Sequence, residues 1–155
     1  MICCSSGREG VFGPSPMISQ ENDALPRILD FIKGKPLSSH IPGLSAPHEK
    51  YFHEMFPGIL DHFMEAVQAI AYIHERGEKH GDIRRDHILI DAESGIYRWI
   101  DFDFNYRHRE NIYGYDLFGP GNILLFLTGK GDVLLADLKN QEHPAMKTPL
   151  NFWKT

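Results

Sequence analysis

Apolar side chains recur along this sequence at two periods, and the change of period marks its elements. Leu60, Phe63, Met64, Val67, Ile70 and Ala71 fall on one helical face, while Asp61, Glu65 and Gln68 lie off it. That spacing predicts an amphipathic helix packing a Met and Phe stripe on a core, with Gly77 placed to stop it. A shorter helical pattern, Tyr51, Phe52, Met55 and Phe56, precedes it, and Pro57 is expected to separate the two. "HILID" and "IYRWIDF" are β-prone runs joined by "AESG", which predicts a hairpin. "YDLFGPGNILLFLTGKG" predicts a mostly apolar helix with Asp116 near its start, Pro120 tolerated in the first turn and Gly129 after its end.

The flanks carry weaker signals. Gly7, Gly10, Gly13, Pro14 and Pro16 make residues 1–24 an expected irregular segment. A short strand is expected over Leu25 to Ile32, closed by Gly34 and Pro36, and Pro26 places it at an edge. One more helix is expected around Asp132 to Leu138, before a Pro-containing tail. The pattern is α+β and mainly helical, with one principal unit over 25–155.

Composition narrows the function. A chain of 155 residues with 42% hydrophobic content is long enough for one domain with a core of its own. A net charge of −5 argues against a nucleic-acid surface, and Arg107-His108-Arg109 reads as a solvated face. Cys3 and Cys4 are adjacent, so they offer neither a disulfide framework nor a spaced metal site, and a cytoplasmic location is expected. "MICCSSGREG" lacks a charged region ahead of an apolar one, and the strongest apolar run, Ile123 to Leu127, is far short of a membrane span. Neither secretion nor a membrane is expected.

The candidate chemistry lies in "HGDIRRDHILID", residues 80–91, a charged stretch between the long helix and the hairpin. Asp82, Asp86, Asp101 and Asp103 flank the ends of this helix–loop–hairpin unit. A hairpin brings the start of its first strand level with the end of its second, so Asp82 and His87 are expected near Asp101. Such carboxylates suit Mg²⁺, which works with one or two carboxylates plus phosphate oxygens, while a carboxylate free of metal deprotonates or orients a hydroxyl.

These residues carry a resemblance. The order His80-Gly81-Asp82, His87 five residues after that Asp, the apolar "ILI", a turn and then "WIDFDF" resembles the catalytic core of the protein-kinase-like phosphotransferases. "HGD" and the second acid of "DFD" look more like the small-molecule kinases of that superfamily, such as the aminoglycoside and choline kinases. "RILDFIKGKPL" is similar to the strand and hinge that hold adenine, "LDHFMEAVQAIAYIHERG" to the helix before the catalytic loop, and "YDLFGPGNILLFLTGKG" to the long C-lobe helix with its leading Asp. The resemblance spans roughly Leu25 to Gly131. It implies a kinase-like C-lobe with a short catalytic hairpin, an N-lobe largely missing, and residues 1–24 as a remnant.

By the same resemblance the cofactors are Mg²⁺ and ATP, and the γ-phosphate goes to a hydroxyl of a small molecule or a protein. Asp82 is the implied base and Arg84 the implied contact to the transferred phosphate. Asp101 and Asp103 are the implied metal carboxylates, and Asp116 ties the loop to the long helix. Asp30 and Ile32 fall on the adenine side, and His87 stands where the superfamily has an Asn that serves the second metal. Imidazole suits Mg²⁺ poorly, so hydrogen bonding to the Asp82 loop is the alternative role for His87. "GREGVFG" has the wrong glycine register for a phosphate-covering loop. The chain alone is therefore expected to bind ATP weakly and to self-associate through an exposed hinge face. Two other readings stand beside this one: a pseudokinase-like binding module, and a metal-dependent phosphohydrolase using His80, Asp82, His87 and Asp101.

Overall fold

A computed structural model describes residues 31–103 and 111–134, residue 136, and two short strands nearer the N-terminus. Those strands, β1 (Met17–Ile18) and β2 (Arg27–Ile28), pair antiparallel. Residues 1–24 therefore include a strand, rather than being irregular throughout, and β2 falls within the strand expected over Leu25 to Ile32, of which Phe31 and Ile32 are not strand. The main unit runs β3 (Gly34–Pro36), α1 (Leu37–His40), α2 (His48–Lys50), a π-helical turn (Tyr51–Met55), α3 (Phe56–His74), a 3-10 turn (Arg85–His87), β4 (Ile88–Asp91), β5 (Tyr97–Trp99) and α4 (Gly114–Gly129). It is an α+β arrangement, mainly helical, with a three-stranded antiparallel sheet ordered β3-β4-β5. Among the described residues no helix is long and apolar enough to cross a membrane.

The hairpin forms as its alternation predicts, with Ile88 opposite Trp99 and Ile90 opposite Tyr97. Asp91 closes it by accepting the backbone N–H groups of Glu93 and Ser94 and pairing with Arg98 at 2.9 Å. The third strand corrects the sequence reading, because Gly34 and Pro36 do not end a strand but belong to one. Gly34 lies opposite Asp91, where a Cβ would come within 2.3 Å of the Ile90 carbonyl oxygen. Glycine is there for close backbone approach rather than as a stop signal.

Pro57 does not separate two helices. The helical chain is continuous from His48 to His74 and widens just before the proline, where the Phe56 N–H reaches back to the Tyr51 carbonyl. The widened i→i−5 turn lets the helical path continue through Pro57, which has no N–H of its own to donate. The buried line of α3 is Phe63, Ala66, Ala69 and Ile70, while Met64 and Ala71 are exposed. The stripe is thus rotated from the one expected, because small residues bring the helix close to the sheet. Trp99, fully buried, donates its Nε1–H to the Ala66 carbonyl at 2.8 Å.

Helix α4 crosses behind, with Asp116, Gly119, Ile123, Phe126 and Leu127 inward. Pro120 sits inside the helix rather than in its first turn, so the Asp116 carbonyl loses its helical donor. Gly129 ends the helix, but the left-handed residue after it is Lys130, at φ 58°. Side chains from the first helical stretch close this terminus: the Tyr51 hydroxyl donates to Leu127 O at 2.6 Å, and His48 Nε2 to Thr128 O at 2.9 Å. The outer face of α4 stays apolar and exposed at Leu117, Phe118 and Leu125, as does Phe31 beside β3. The helix expected around Asp132 to Leu138 lies largely outside the described residues; Asp132 to Leu134 are not helical, and Ala136 is.

Candidate functional site

The charged loop between α3 and β4 is fixed by its backbone. Asp116, 3% exposed, accepts the N–H of His80 at 2.7 Å and that of Gly81 at 2.8 Å, and its Oδ2 also takes His74 Nε2 at 2.9 Å. One buried carboxylate therefore gathers the end of α3, the loop and α4. The His80 carbonyl accepts the Asp103 N–H at 2.7 Å, and the His87 carbonyl accepts the Ile100 N–H at 3.0 Å. These two bonds lay residues 80–87 alongside the exit of β5. Gly81, at φ +84°, has no room for a side chain: a Cβ would stand 2.0 Å from the Asp103 carbonyl oxygen.

His80 belongs to the frame. Its ring is fully buried, stacked on Phe102 at 4.2 Å and set edge-on to Trp99 at 5.2 Å, and its Nδ1 accepts the Asp82 N–H at 3.3 Å. Burial pushes its pKa down to about 4, against the opposite pull of the Asp116 charge and the Ile100 carbonyl. A neutral ring results, fit for packing and for holding the loop rather than for proton transfer.

Asp82, His87 and Asp101 are brought together. His87 Nδ1 lies 3.0 Å from the Asp82 carbonyl and 3.4 Å from the Asp82 carboxylate, and its Nε2 lies 4.0 Å from the Asp101 carboxylate. The alternative role weighed for His87, holding the Asp82 loop, is the contact it makes. The ring is mostly buried, whereas the side chain of Asp101 is 72% exposed. Asp101 occupies the left-handed region at φ 56°, a costly conformation for a residue with a Cβ, which the frame around it maintains.

The other sequence-derived residues stand apart from this trio. Arg84 makes a two-pronged pair with Asp86, at 3.1 and 2.6 Å, which raises the pKa of Arg84. Burial pushes the Asp86 carboxyl up, but that pair and its own backbone N–H together carry it below the ordinary range. Asp103 contributes its backbone to the frame and accepts Lys79 Nζ at its carbonyl, with its side chain exposed. Ile32 is half-buried and precedes Gly34, which faces Asp91 at the turn end of the hairpin, so it lies beyond a point four residues, or roughly 13 Å, along the strand from His87. Asp30 lies outside the described residues. His74, not singled out from sequence as a site residue, joins the frame through Asp116; its place at the end of α3 was the available signal.

Among the described residues no three His, Cys, Asp or Glu side chains are grouped so as to hold a metal ion by themselves. A divalent cation that takes its remaining ligands from water and phosphate needs fewer. Asp101 fits that demand, as an exposed carboxylate set on a strained backbone beside a second donor, His87 Nε2. An open cavity of about 280 Å³ adjoins the loop on its α4 side, bordered by Arg84, Arg85, Asp86 and Asn122. No known protein family matches this chain by sequence, and no curated protein sequence matches it.

Proposed function

We propose that this chain carries the C-lobe of a protein-kinase-like phosphotransferase, with the loop of residues 80–87 as its catalytic segment. The observation that supports this reading best is the buried Asp116 carboxylate holding the backbone of His80 and Gly81, which presents Asp82 across His87 from Asp101. Asp82, whose side chain is 37% exposed, accepts the proton of an incoming hydroxyl. Asp101 holds the divalent cation, and Asp103 is a further oxygen donor at the same exit. The cation supplies charge neutralisation at the nucleotide phosphates. By the resemblance Asp30 and Ile32 belong to the adenine side; of the two, Ile32 lies toward the turn end of the hairpin, away from Asp82 and Asp101. Arg84 reaches a transferred phosphate only by leaving Asp86, an exchange of one anion for another.

Calorimetric titration of the folded chain with ATP and a divalent cation tests this reading. The expected result is weak, cation-dependent binding that Asp101→Asn removes and Asp82→Asn leaves in place. Absence of nucleotide binding by the folded chain, or equal loss in both variants, overturns it. One observation favours a second reading, a binding module with little turnover: an imidazole occupies the place beside the two carboxylates where an oxygen ligand would serve Mg²⁺ better. Retained nucleotide binding with no phosphoryl transfer to any hydroxyl is the result that selects it.

A further inference from the structure

Helix α4 is apolar on both sides. Apart from buried Asp116 it carries no charged side chain, and its outer face exposes Leu117, Phe118 and Leu125 around Gly121 and Asn122, with Phe118 at 77%. A helix apolar all round is ordinarily a covered one, and a contiguous apolar patch marks a surface that something packs against. The chain beyond α4 points back toward this face. The helix ends in a closed turn, in which the Lys130 N–H donates to Leu127 O at 3.1 Å and the Gly131 N–H to Phe126 O at 3.0 Å, with Lys130 left-handed. Lys130 Nζ donates to the Ala46 carbonyl at 2.6 Å. Asp132 then makes a two-pronged pair with Arg85, whose guanidinium lies 4.6 Å from the centre of the Phe126 ring. The exit is thus held at the flank of α4, beside the cavity whose rim Arg85 shares with Asn122 of the outer face.

We propose that residues 144–153 of the same chain, "PAMKTPLNFW", cover the outer face of α4, with Met146, Leu150 and Trp153 set against Leu117, Phe118 and Leu125. The anchored exit makes the reach short. Helix α4, at 16 residues, is about 24 Å long, and about eight extended residues cross that distance, so residues 133–143 bring the segment to any point of the face. Pro144 and Pro149 disfavour a helix and favour an extended strip, which lays its side chains along a neighbouring surface at low entropic cost. Lys147 is the one charged side chain in that strip, which matches an uncharged face. Occupied in this way, the face is closed to a second copy of the chain, whose own α4 would present the same apolar patch. Nothing in this contact depends on the phosphotransferase reading.

Trp153 reports the contact in the full chain. Its emission, taken as the difference between the chain and its Trp153→Phe variant, is expected to be blue-shifted from that of tryptophan in water and to be quenched severalfold less by acrylamide, at concentrations where sedimentation shows a monomer. Phe118→Asp places a charge on the exposed face. Measured against its own Trp153→Phe background, that variant is expected to shift the emission to the red and to restore most of the quenching, with far-ultraviolet circular dichroism unchanged. Should Phe118→Asp fail to fold, Leu125→Gln takes its place with the same shift expected. A solvated Trp153 in the monomer, or a protected one that the substitution does not move, overturns the proposal. Protection that arises only as the chain dimerises overturns it as well, and makes a second copy the occupant of the face.

Discussion

Replacing Asp116 with Ala removes a buried side chain that holds the loop to both α3 and α4. The buried N–H groups of His80 and Gly81, and the ring nitrogen of His74, would lose their acceptor together. A hydrogen bond to a charged group contributes about 1.5–3 kcal/mol, but removing the carboxylate also recovers its own desolvation cost, so the three do not simply add. The expected loss is about 3–5 kcal/mol, the range for breaking a buried charged contact, against a total stability of about 5–15 kcal/mol. The melting temperature should fall on the order of 10 °C. Urea unfolding followed by far-ultraviolet circular dichroism and by the fluorescence of buried Trp99 measures the loss. Hydrogen exchange locates it, at the amides of His80 and Gly81. Asp116→Asn should recover less than half, since its amide nitrogen turns a donor toward one of those donors. A loss below about 1 kcal/mol, the size of a single ordinary hydrogen bond, or an Asn variant as stable as the parent, would refute the view that this carboxylate organises the loop.

Two further outcomes follow from the same frame. His80 titrates near 6.5 when unfolded and near about 4 when folded, so between those values the unfolded chain binds the extra proton and stability falls as pH falls. At about 1.4 kcal/mol per unit the loss reaches on the order of 3 kcal/mol by pH 4. Urea midpoints taken from pH 7 to 4 should slope less steeply in His80→Phe, and an identical slope in both proteins would show that His80 does not carry the effect. Gly81→Ala meets both a positive φ and a backbone oxygen that cannot yield, so we expect at least about 2 kcal/mol of destabilisation by urea unfolding. A fully stable Gly81→Ala chain would mean that the loop and the β5 exit move independently.

How much of this was legible before the fold depends on whether a residue's role is local. The hairpin was legible because alternation and a Gly-containing turn act over a few neighbours, and the meeting of Asp82, His87 and Asp101 follows from hairpin geometry. The third strand was not: Gly34, Lys35 and Pro36 are poor strand formers, and what places them is the open backbone of β4 and the absence of a side chain at Gly34. The buried face of α3 was displaced because Ala66 and Ala69 count little on a hydrophobic scale but permit the approach that Trp99 exploits. Pro57 misled because a widened turn can precede a proline without ending a helix. Arg84 was assigned to a phosphate by the resemblance alone, and its pairing with Asp86, two residues on, is what the fold adds.

The grip of Asp116 on the loop acts on main-chain N–H groups and not on side chains, and this separates where the loop sits from what it can do. Any residue except proline at position 80 supplies the first N–H, and glycine at 81 supplies the second along with the required conformation. From Asp82 onward the anchor asks nothing of side-chain identity. Substitutions at Asp82, Arg84 and Asp86 can therefore exchange carboxylate for amide, or guanidinium for a neutral group, without touching the anchor, whereas Ile83, buried against Gly119, and His87, bonded to the Asp82 carbonyl, belong to the frame. A library randomised at Asp82, Arg84 and Asp86 would sample different chemistries on one fixed scaffold, whereas the same library at Gly81 and Asp116 would sample mainly unfolded chains.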